Sequence, residues 1–421
     1  MKKTILFLAL IFTPFLIISA HAQNTPTGAP LEWDDVLKEA KSKNPALLSA
    51  EESLEQAKIN YSMARSNFLP QIYTSAGASH TESSISGPDD NFSLGLYGRM
   101  SLFSGFSDYS NLKSKDLALK AEEVRYQRAV SDLVYNLKRS FVNLLLAQEA
   151  VELNRNIVER RNKNYELVKI KYESGTEDKG SLLRLNADRL QAEFDLEKAK
   201  RALKEAAFAL LQAIGSDKFE LISVKGEFFV DLPAQEPKFD ELLPLTPEYI
   251  IARYSYERSQ YDVMSAKSAF YPSLTASAGA SRYGDTISMD SDSWDAGLNL
   301  TWTYYLFGGR DVNNYKLAKK SRVIAGNTFR NTRLSLYVKL NSAWNDMVNA
   351  SENYSIRKKY LEASAEQSRI TTEKYMNGLA TYTEWYSIEN DYINSENSVL
   401  SAKMNEMILD AAWKNALGEI K

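Results

Sequence analysis

The chain has 421 residues, 44% hydrophobic and 25% charged, enough for two ordinary domains or one long repeated one. Its formal net charge of −3 gives no electrostatic reason to expect a nucleic-acid partner. It contains no cysteine, which excludes a disulfide framework, a thiolate metal site, a Cys nucleophile and an acylated N-terminal Cys anchor.

Lys2 and Lys3 precede the apolar run TILFLALIFTPFLIISA, and Ala20-His21-Ala22 is a small-x-small cleavage signal. Residues 1–22 therefore read as a secretory signal peptide. The run has 17 residues and is broken by Thr13 and Pro14, which is short for a transmembrane anchor. Cleavage leaves 49 basic and 54 acidic residues, a net charge of −5. No later stretch has 18 consecutive apolar residues, so the mature chain can enter a membrane only as strands.

After an N-terminal segment at 23–44, a breaker-free stretch predicts a helix over 46–67, ended by Pro70. A β-hairpin is expected over 70–103. Its first strand, within FLPQIYTSAGAS at 68–79, is small on both faces. Its second strand, FSLGLYGRMSL at 92–102, sets Phe92, Leu94, Leu96, Met100 and Leu102 against Ser93, Gly95, Tyr97, Arg99 and Ser101. The loop between them is acidic and polar. A long helix follows over 108–172. A heptad seam from Val130 through Leu133, Leu137, Leu144, Val151, Val158, Tyr165 and Val168 to Tyr172 is apolar or Tyr at ten of 13 positions, the rhythm of a coiled coil. KYESG at 171–175 supplies a glycine turn, a returning helix runs over 181–214, and residues 216–246, with Pro233, Pro237 and Pro244, form a connector.

The same plan then recurs. Thr246-Pro247 answers Asn44-Pro45, FYPSLTASAGAS at 270–281 answers 68–79, Leu306-Phe307-Gly308-Gly309 answers Leu102-Phe103-Ser104-Gly105, KYMNG at 374–378 answers KYESG, and Ala416-Leu417-Gly418 answers Ala213-Ile214-Gly215. The offset stays between 202 and 204, so 45–215 and 247–418 are a tandem duplication. The second copy predicts a helix over 247–269, a hairpin over 272–306, a long helix over 312–375 and a returning helix over 382–417. Its strand WDAGLNLTWTYY at 294–305 also alternates. Its seam, Leu336, Leu340, Ala343, Met347, Ala350, Tyr354, Arg357 and Leu361, turns polar at Ser364, Ser368 and Thr371.

Lengths constrain the packing. A helix of roughly 65 residues spans roughly 100 Å, and the two shorter helices of each unit fit end to end beside it. Amphipathic strands of about ten residues carrying Trp and Tyr suit an outer-membrane barrel, with Leu94, Leu96, Met100, Leu298, Leu300, Trp302 and Tyr304 facing lipid. The soluble alternative is a small sheet packed on helices. Four strands per chain cannot close a barrel, and open edges are not tolerated in lipid. Two chains would give eight strands with a filled interior; three would give twelve and leave a lumen, so strand arithmetic favours a trimer.

The duplicated helix–hairpin–long helix–turn–helix plan, the FLPQI/FYPSL strand entries, the LFSG/LFGG exits and the paired YxxG turns resemble the TolC-type outer-membrane efflux proteins, over essentially the whole mature chain. The resemblance implies a mainly α chain with a transmembrane β-hairpin in each of two repeats. Three chains would form a 12-stranded outer-membrane β-barrel continuing into a long periplasmic α-helical coiled-coil tunnel. It implies a passive exit duct of a tripartite efflux or type I secretion system in a Gram-negative outer membrane. The expected partners are two further copies of the chain, a periplasmic adaptor, an inner-membrane pump and outer-membrane lipid. By the same resemblance, the turns at Tyr172, Ser174, Gly175, Thr176, Tyr375, Asn377, Gly378 and Leu379 dock the adaptor, although each also reads as a plain glycine C-cap. Glu384 and Ser387 stand at the family's pore constriction; only the first is a carboxylate. Ala380 stands where some members carry a basic latch residue. The chain also lacks the C-terminal extension of some members, with three residues after Gly418.

No enzyme, metal or cofactor is expected. The mature chain has one histidine, His80, no Cys/His cluster, no Gly-rich phosphate loop and no nucleophile elbow, and its carboxylates lie among Lys and Arg at helix-surface spacing. The alternative function is a periplasmic coiled-coil structural or adaptor protein. The exported substrate is not written in the sequence.

Overall fold

The computed structural model describes residues 29–84, 87–230, 232–233, 235–303, 305 and 309–420. The signal peptide, Tyr304 and most of the LFGG exit lie outside them. In chain order the elements are α1 (Trp33–Lys43), α2 (Pro45–Ser66), β1 (Gln71–Ser83), β2 (Gly87–Ser104), α3 (Ser107–Glu173), α4 (Lys179–Ile214), α5 (Phe239–Leu242), α6 (Pro247–Lys267), β3 (Ser273–Gly284), β4 (Ser291–Thr301), α7 (Arg310–Met376) and α8 (Tyr382–Leu417). The protein is mainly α-helical, with one four-stranded antiparallel sheet in the order β1-β2-β3-β4.

Local chemistry sets the boundaries. Pro45 and Pro247 open α2 and α6, where a missing N–H costs nothing and the fixed φ suits a helix. Asp178 and Thr381 cap α4 and α8 by accepting from the Ser181 and Glu384 N–H groups at 2.9 and 3.2 Å. One helix, α1, falls in the N-terminal segment to which the sequence reading assigned no element. Asp34 and Asp35 in its first turn and Lys41 and Lys43 in its last complement the helix dipole, and Val36 and Ala40, one turn apart, are buried.

Each long helix has 67 residues and spans about 100 Å. α4 returns antiparallel along the far part of α3, and α2 lies along the near part; α8 and α6 flank α7 in the same way. The short helices meet at a joint. Asn44 Oδ1 accepts from the Ala46 and Leu47 N–H groups at 3.0 and 3.1 Å, while its Nδ2 donates to the Ala213 carbonyl of α4 at 2.8 Å. One side chain thus caps the start of α2 and the end of α4. Gly215 has φ +87°, and a Cβ there would meet the Lys43 carbonyl at 2.6 Å. Gly418 repeats the arrangement against Pro247.

The main cores surround these joints. In the first repeat Leu137, Phe141 and Leu144 of α3 are fully buried against Val36, Leu47, Leu210 and Ile214. In the second, Leu336, Leu340, Trp344 and Met347 of α7 pack on Phe239, Leu243 and Trp413. Each large side chain buried in this way contributes roughly 1.5–3 kcal/mol. The predicted α3 seam is buried or half-buried until Tyr172; in α7 Arg357 is exposed, whereas the polar Ser368 and Thr371 are buried.

The sheet register fixes its two faces. Ala76 stands opposite Leu94, Leu94 opposite Arg282, Leu96 opposite Ala280, Met100 opposite Ala276, Ala276 opposite Leu298 and Leu274 opposite Leu300. Residues directly opposite share a face, so the apolar members of all four strands line one side. The other side carries Tyr73, Ser75, Tyr97, Arg99, Ser277 and Asn299. There the Tyr97 ring stacks on Tyr73 at 5.3 Å and lies so close over Gly95 and Gly279 that a Cβ at either would clash. One detail departs from simple alternation. A bulge between Ser101 and Phe103 leaves Leu102 unpaired and sets Phe103 opposite Leu274, so Leu102 and Phe103 join the apolar side in succession.

Candidate functional site

Two surfaces carry the candidate residues, the helix-turn tips and the apolar face of the sheet. At the first tip α3 ends in a Schellman motif: the Thr176 N–H donates to the Lys171 carbonyl at 2.9 Å and the Gly175 N–H to the Tyr172 carbonyl at 3.0 Å. At the second, the Leu379 N–H donates to the Lys374 carbonyl at 2.8 Å and the Gly378 N–H to the Tyr375 carbonyl at 3.2 Å. Gly175 and Gly378 have φ of +76° and +73°, the left-handed region that favours glycine. Nothing lies within 4 Å of where their Cβ atoms would be, so both turns present open surface.

The two tips are joined. Tyr375 is 3% exposed, stacks on the buried Trp385 with ring centroids 4.6 Å apart, and donates its hydroxyl to Glu177 Oε2 at 2.7 Å. Lys171 Nζ lies 4.8 Å over the same ring. Val168 and Leu185 complete the apolar cluster beneath the turns. Trp385 Nε1 donates to Thr372 Oγ1 at 3.0 Å, and Arg184 Nε to the Tyr386 hydroxyl at 2.9 Å. Burial and the Glu177 carboxylate push the Tyr375 hydroxyl well above the ordinary tyrosine range, so it remains a donor. Burial, then Tyr386 and Asp188, push Tyr382 up to about 12.

The predicted tip residues thus divide. Tyr172, Ser174, Gly175, Thr176, Asn377, Gly378 and Leu379 are exposed, while Tyr375 lies beneath the surface as a strut. Glu384 and Ser387 are exposed on α8, one turn apart, on a different side from buried Trp385 and Glu389. Glu384 is also the third residue of α8, where a carboxylate favours the helix N-terminus. The sequence reading did not single out Glu177, Tyr382, Trp385 or Tyr386. The aromatic cluster YTEWY at 382–386, placed directly after a glycine turn, is the signal that carries three of them.

A polar layer lies farther from the tip, between α3 of one repeat and α7 and α8 of the other. Buried Glu389 accepts from Ser368 Oγ, from Asn164 Nδ2 at 3.1 Å and from Thr372 Oγ1 at 3.3 Å. Arg160 forks onto Glu396 at 2.9 and 3.1 Å and covers the Tyr392 ring at 4.2 Å. Hydrogen bonds therefore join the apolar contact of Ile157 with Ile393 in setting the register between the repeats here.

On the sheet, Leu94, Leu96, Leu298 and Leu300 are 50%, 53%, 71% and 66% exposed, and Met100 is half-buried. Trp302, also exposed, lies one residue beyond β4, so the strand begins and ends earlier than the 294–305 expected from its alternation. Trp294 extends the apolar side at the other end of β4, where it stands opposite Ala280. An unpartnered apolar sheet face of this size marks an interaction surface. Among the described residues no helix is long and apolar enough to cross a membrane.

The sequence profile of the outer membrane efflux protein family matches residues 36–216 and 246–419, one segment for each repeat. The chain belongs to this family. Its relatives in the family include the probable outer membrane lipoprotein SilC of Salmonella typhimurium, 20% identical over 91% of this chain and 85% of that protein. The pyoverdine export outer membrane protein OpmQ of Pseudomonas aeruginosa is 22% identical over 93% and 85%. The open-state crystal structure of the MtrE outer membrane channel of Neisseria gonorrhoeae superposes with a TM-score of 0.81, covering 98% of each chain at 20% identity. Membership in the outer membrane efflux protein family makes this a non-catalytic protein with the general role of an outer-membrane channel of efflux and secretion systems.

Proposed function

We propose that three copies of this chain form an exit duct, a shared 12-stranded barrel continuing into a helical tunnel that conducts substrates from a pump–adaptor complex across periplasm and outer membrane. One observation carries the reading: a four-stranded sheet with an apolar outer face leaves both edges, β1 and β4, unpaired, yet runs directly into helices about 100 Å long. Open edges in lipid are too costly to persist, so β4 of one copy pairs with β1 of the next. The polar side, with Tyr97, Arg99 and Asn299, then lines the lumen. The exposed turns at Gly175 and Gly378 lie at the opposite end, where an adaptor's helices dock. Three copies of Glu384 and Ser387 ring the axis near that end, and the Glu384 carboxylates favour cations over anions in the constriction.

Native mass spectrometry of the detergent-extracted protein tests the assembly. Trimers are expected; only monomers would remove the shared barrel. In planar bilayers Glu384→Gln should lower cation selectivity, and an unchanged reversal potential would remove Glu384 from the constriction. The periplasmic structural or adaptor alternative leaves Leu298, Leu300 and Trp294 exposed to water without a use.

A further inference from the structure

Where the sheet passes into the helices, a cavity of about 330 Å³ is lined mainly by Phe68, Leu102, Phe103, Phe106, Tyr109 and Met264, with the Asp108 carboxylate, which accepts from Ser101 Oγ at 3.3 Å, also on its wall. Its size is that of a small-molecule pocket. Its lining comes from the ends of α2 and β2, the start of α3 and the last turn of α6. The bulge sets Leu102 and Phe103 on the apolar side of the sheet, so the cavity continues that surface at its helical end. Phe106 adopts φ +74°, an unusual conformation for a bulky residue. Its ring is held edge-on between Phe103 at 5.2 Å and Tyr271 at 5.7 Å.

Cations surround this mouth. Lys113 lies 5.9 Å over the ring of Tyr109, which lines the cavity, and Lys267 lies 5.8 Å over Tyr271, which abuts Phe106. Arg310 over Tyr305 and Lys319 over Tyr315, at 5.8 and 4.5 Å, extend the girdle onto α7. Among the described residues none of these four cations pairs with a carboxylate, nor does Lys115, whereas farther along α3 Lys120 and Arg125 do so with Asp116 and Glu122. Tyrosine rings with basic heads just beyond them suit a bilayer boundary, and unpaired cations there attract phosphate.

We propose that this collar holds one anionic glycerophospholipid of the periplasm-facing leaflet per chain, its acyl chain in the cavity and its phosphate on Lys113 and Lys267. The proposal rests on the membrane-inserted reading of the sheet. The test uses full-length protein extracted from outer membranes, titrated with phosphatidylglycerol or phosphatidylcholine and read by native mass spectrometry. Phosphatidylglycerol should saturate at one per chain and bind more tightly than phosphatidylcholine. Lys113→Gln/Lys267→Gln should weaken it by about tenfold or more, and Met264→Trp, which fills the cavity, should abolish it. Lys163→Gln, far along α3, should leave binding unchanged.

Equal binding of the two lipids, or undiminished binding by the double variant, would overturn the proposal. So would displacement by lipid A in preference to phosphatidylglycerol, which would assign the surface to the other leaflet. The double lysine variant alters one exposed and one half-buried group, Lys267 and Lys113, and its trimer recovery is measured alongside. Outer-membrane trimers that bind no lipid would sink the collar and leave the duct standing; absence of the protein from the outer membrane would sink both.

Discussion

Replacing Tyr375 by Phe removes one oxygen from the tip and leaves the stack on Trp385 in place. That oxygen donates to Glu177 at 2.7 Å and ties the turn after α3 to the end of α7. A hydrogen bond to a charged group contributes about 1.5–3 kcal/mol. Glu177 is half-buried and regains water when released, so the lower end, about 1.5 kcal/mol, applies. The tip is the local unit that opens, and 1.4 kcal/mol corresponds to about tenfold in an equilibrium. Tyr375→Phe should therefore speed amide hydrogen exchange about tenfold in 171–181 and 374–385, and leave the cores at 133–144 and 336–347 unchanged. Adding Glu177→Gln should increase exchange little further, because the two groups act as one pair. A change below about twofold at the tip, or an equal change at both cores, would refute the idea that this bond holds the two turns together.

Leu298→Arg places a charge on the apolar side of β4 at about 2–4 kcal/mol near a bilayer midplane, whereas Asn299→Arg faces the polar side; outer-membrane yields should fall only for the first. Gly378→Val meets open space and bears only the left-handed backbone cost, about 1–2 kcal/mol, so trimers should form while cross-linking to an adaptor declines. Gly418→Ala adds to that cost a Cβ 2.5 Å from Pro247 Cγ, and should lower the melting temperature more than Gly378→Ala does. Tyr382 has a folded pKa raised to about 12, so its contribution is intact below about pH 10, the unfolded value, and is lost as pH rises from there through 12. Alkaline titration of tyrosinate absorbance should show a component near pH 12 that Tyr382→Phe removes, leaving the still later Tyr375 in place.

Much of this architecture was legible because period and punctuation agree. The 3/4 seam from Val130, the alternation at 92–102 and the glycine turns each follow from local geometry, and the duplicated motifs state them twice. The Leu102 bulge was not legible, since Leu102 continues the even-numbered apolar positions and only the pairing of Phe103 with Leu274 reveals the slip. Helix α1 was missed because it is short, with only Val36 and Ala40 buried. At the tip, YxxG placed the turns but not the strut. Tyr172 and Tyr375 occupy the same motif position, yet the first is exposed and the second buried against Trp385, a residue without an aromatic counterpart in the first repeat, where Leu182 stands. Glu177 is a residue the motif does not include; its partner comes from the other repeat, a distance in sequence that no local pattern spans.

Asn44 has a consequence for how such a molecule can change length. Because it closes α4 and opens α2 with one amide, everything above the joint is anchored independently of how far α3 and α4 extend below it. The lower segments are joined by a self-contained turn and packed on a seven-residue rhythm. Removing one heptad from each of α3, α4, α7 and α8 would shorten the molecule by about 10 Å and keep the remaining α3 seam on the same face of its helix. Reach is therefore adjustable in discrete steps, as on a telescoping rod with detents, and a lineage facing a wider or narrower periplasm could alter it without redesigning either end.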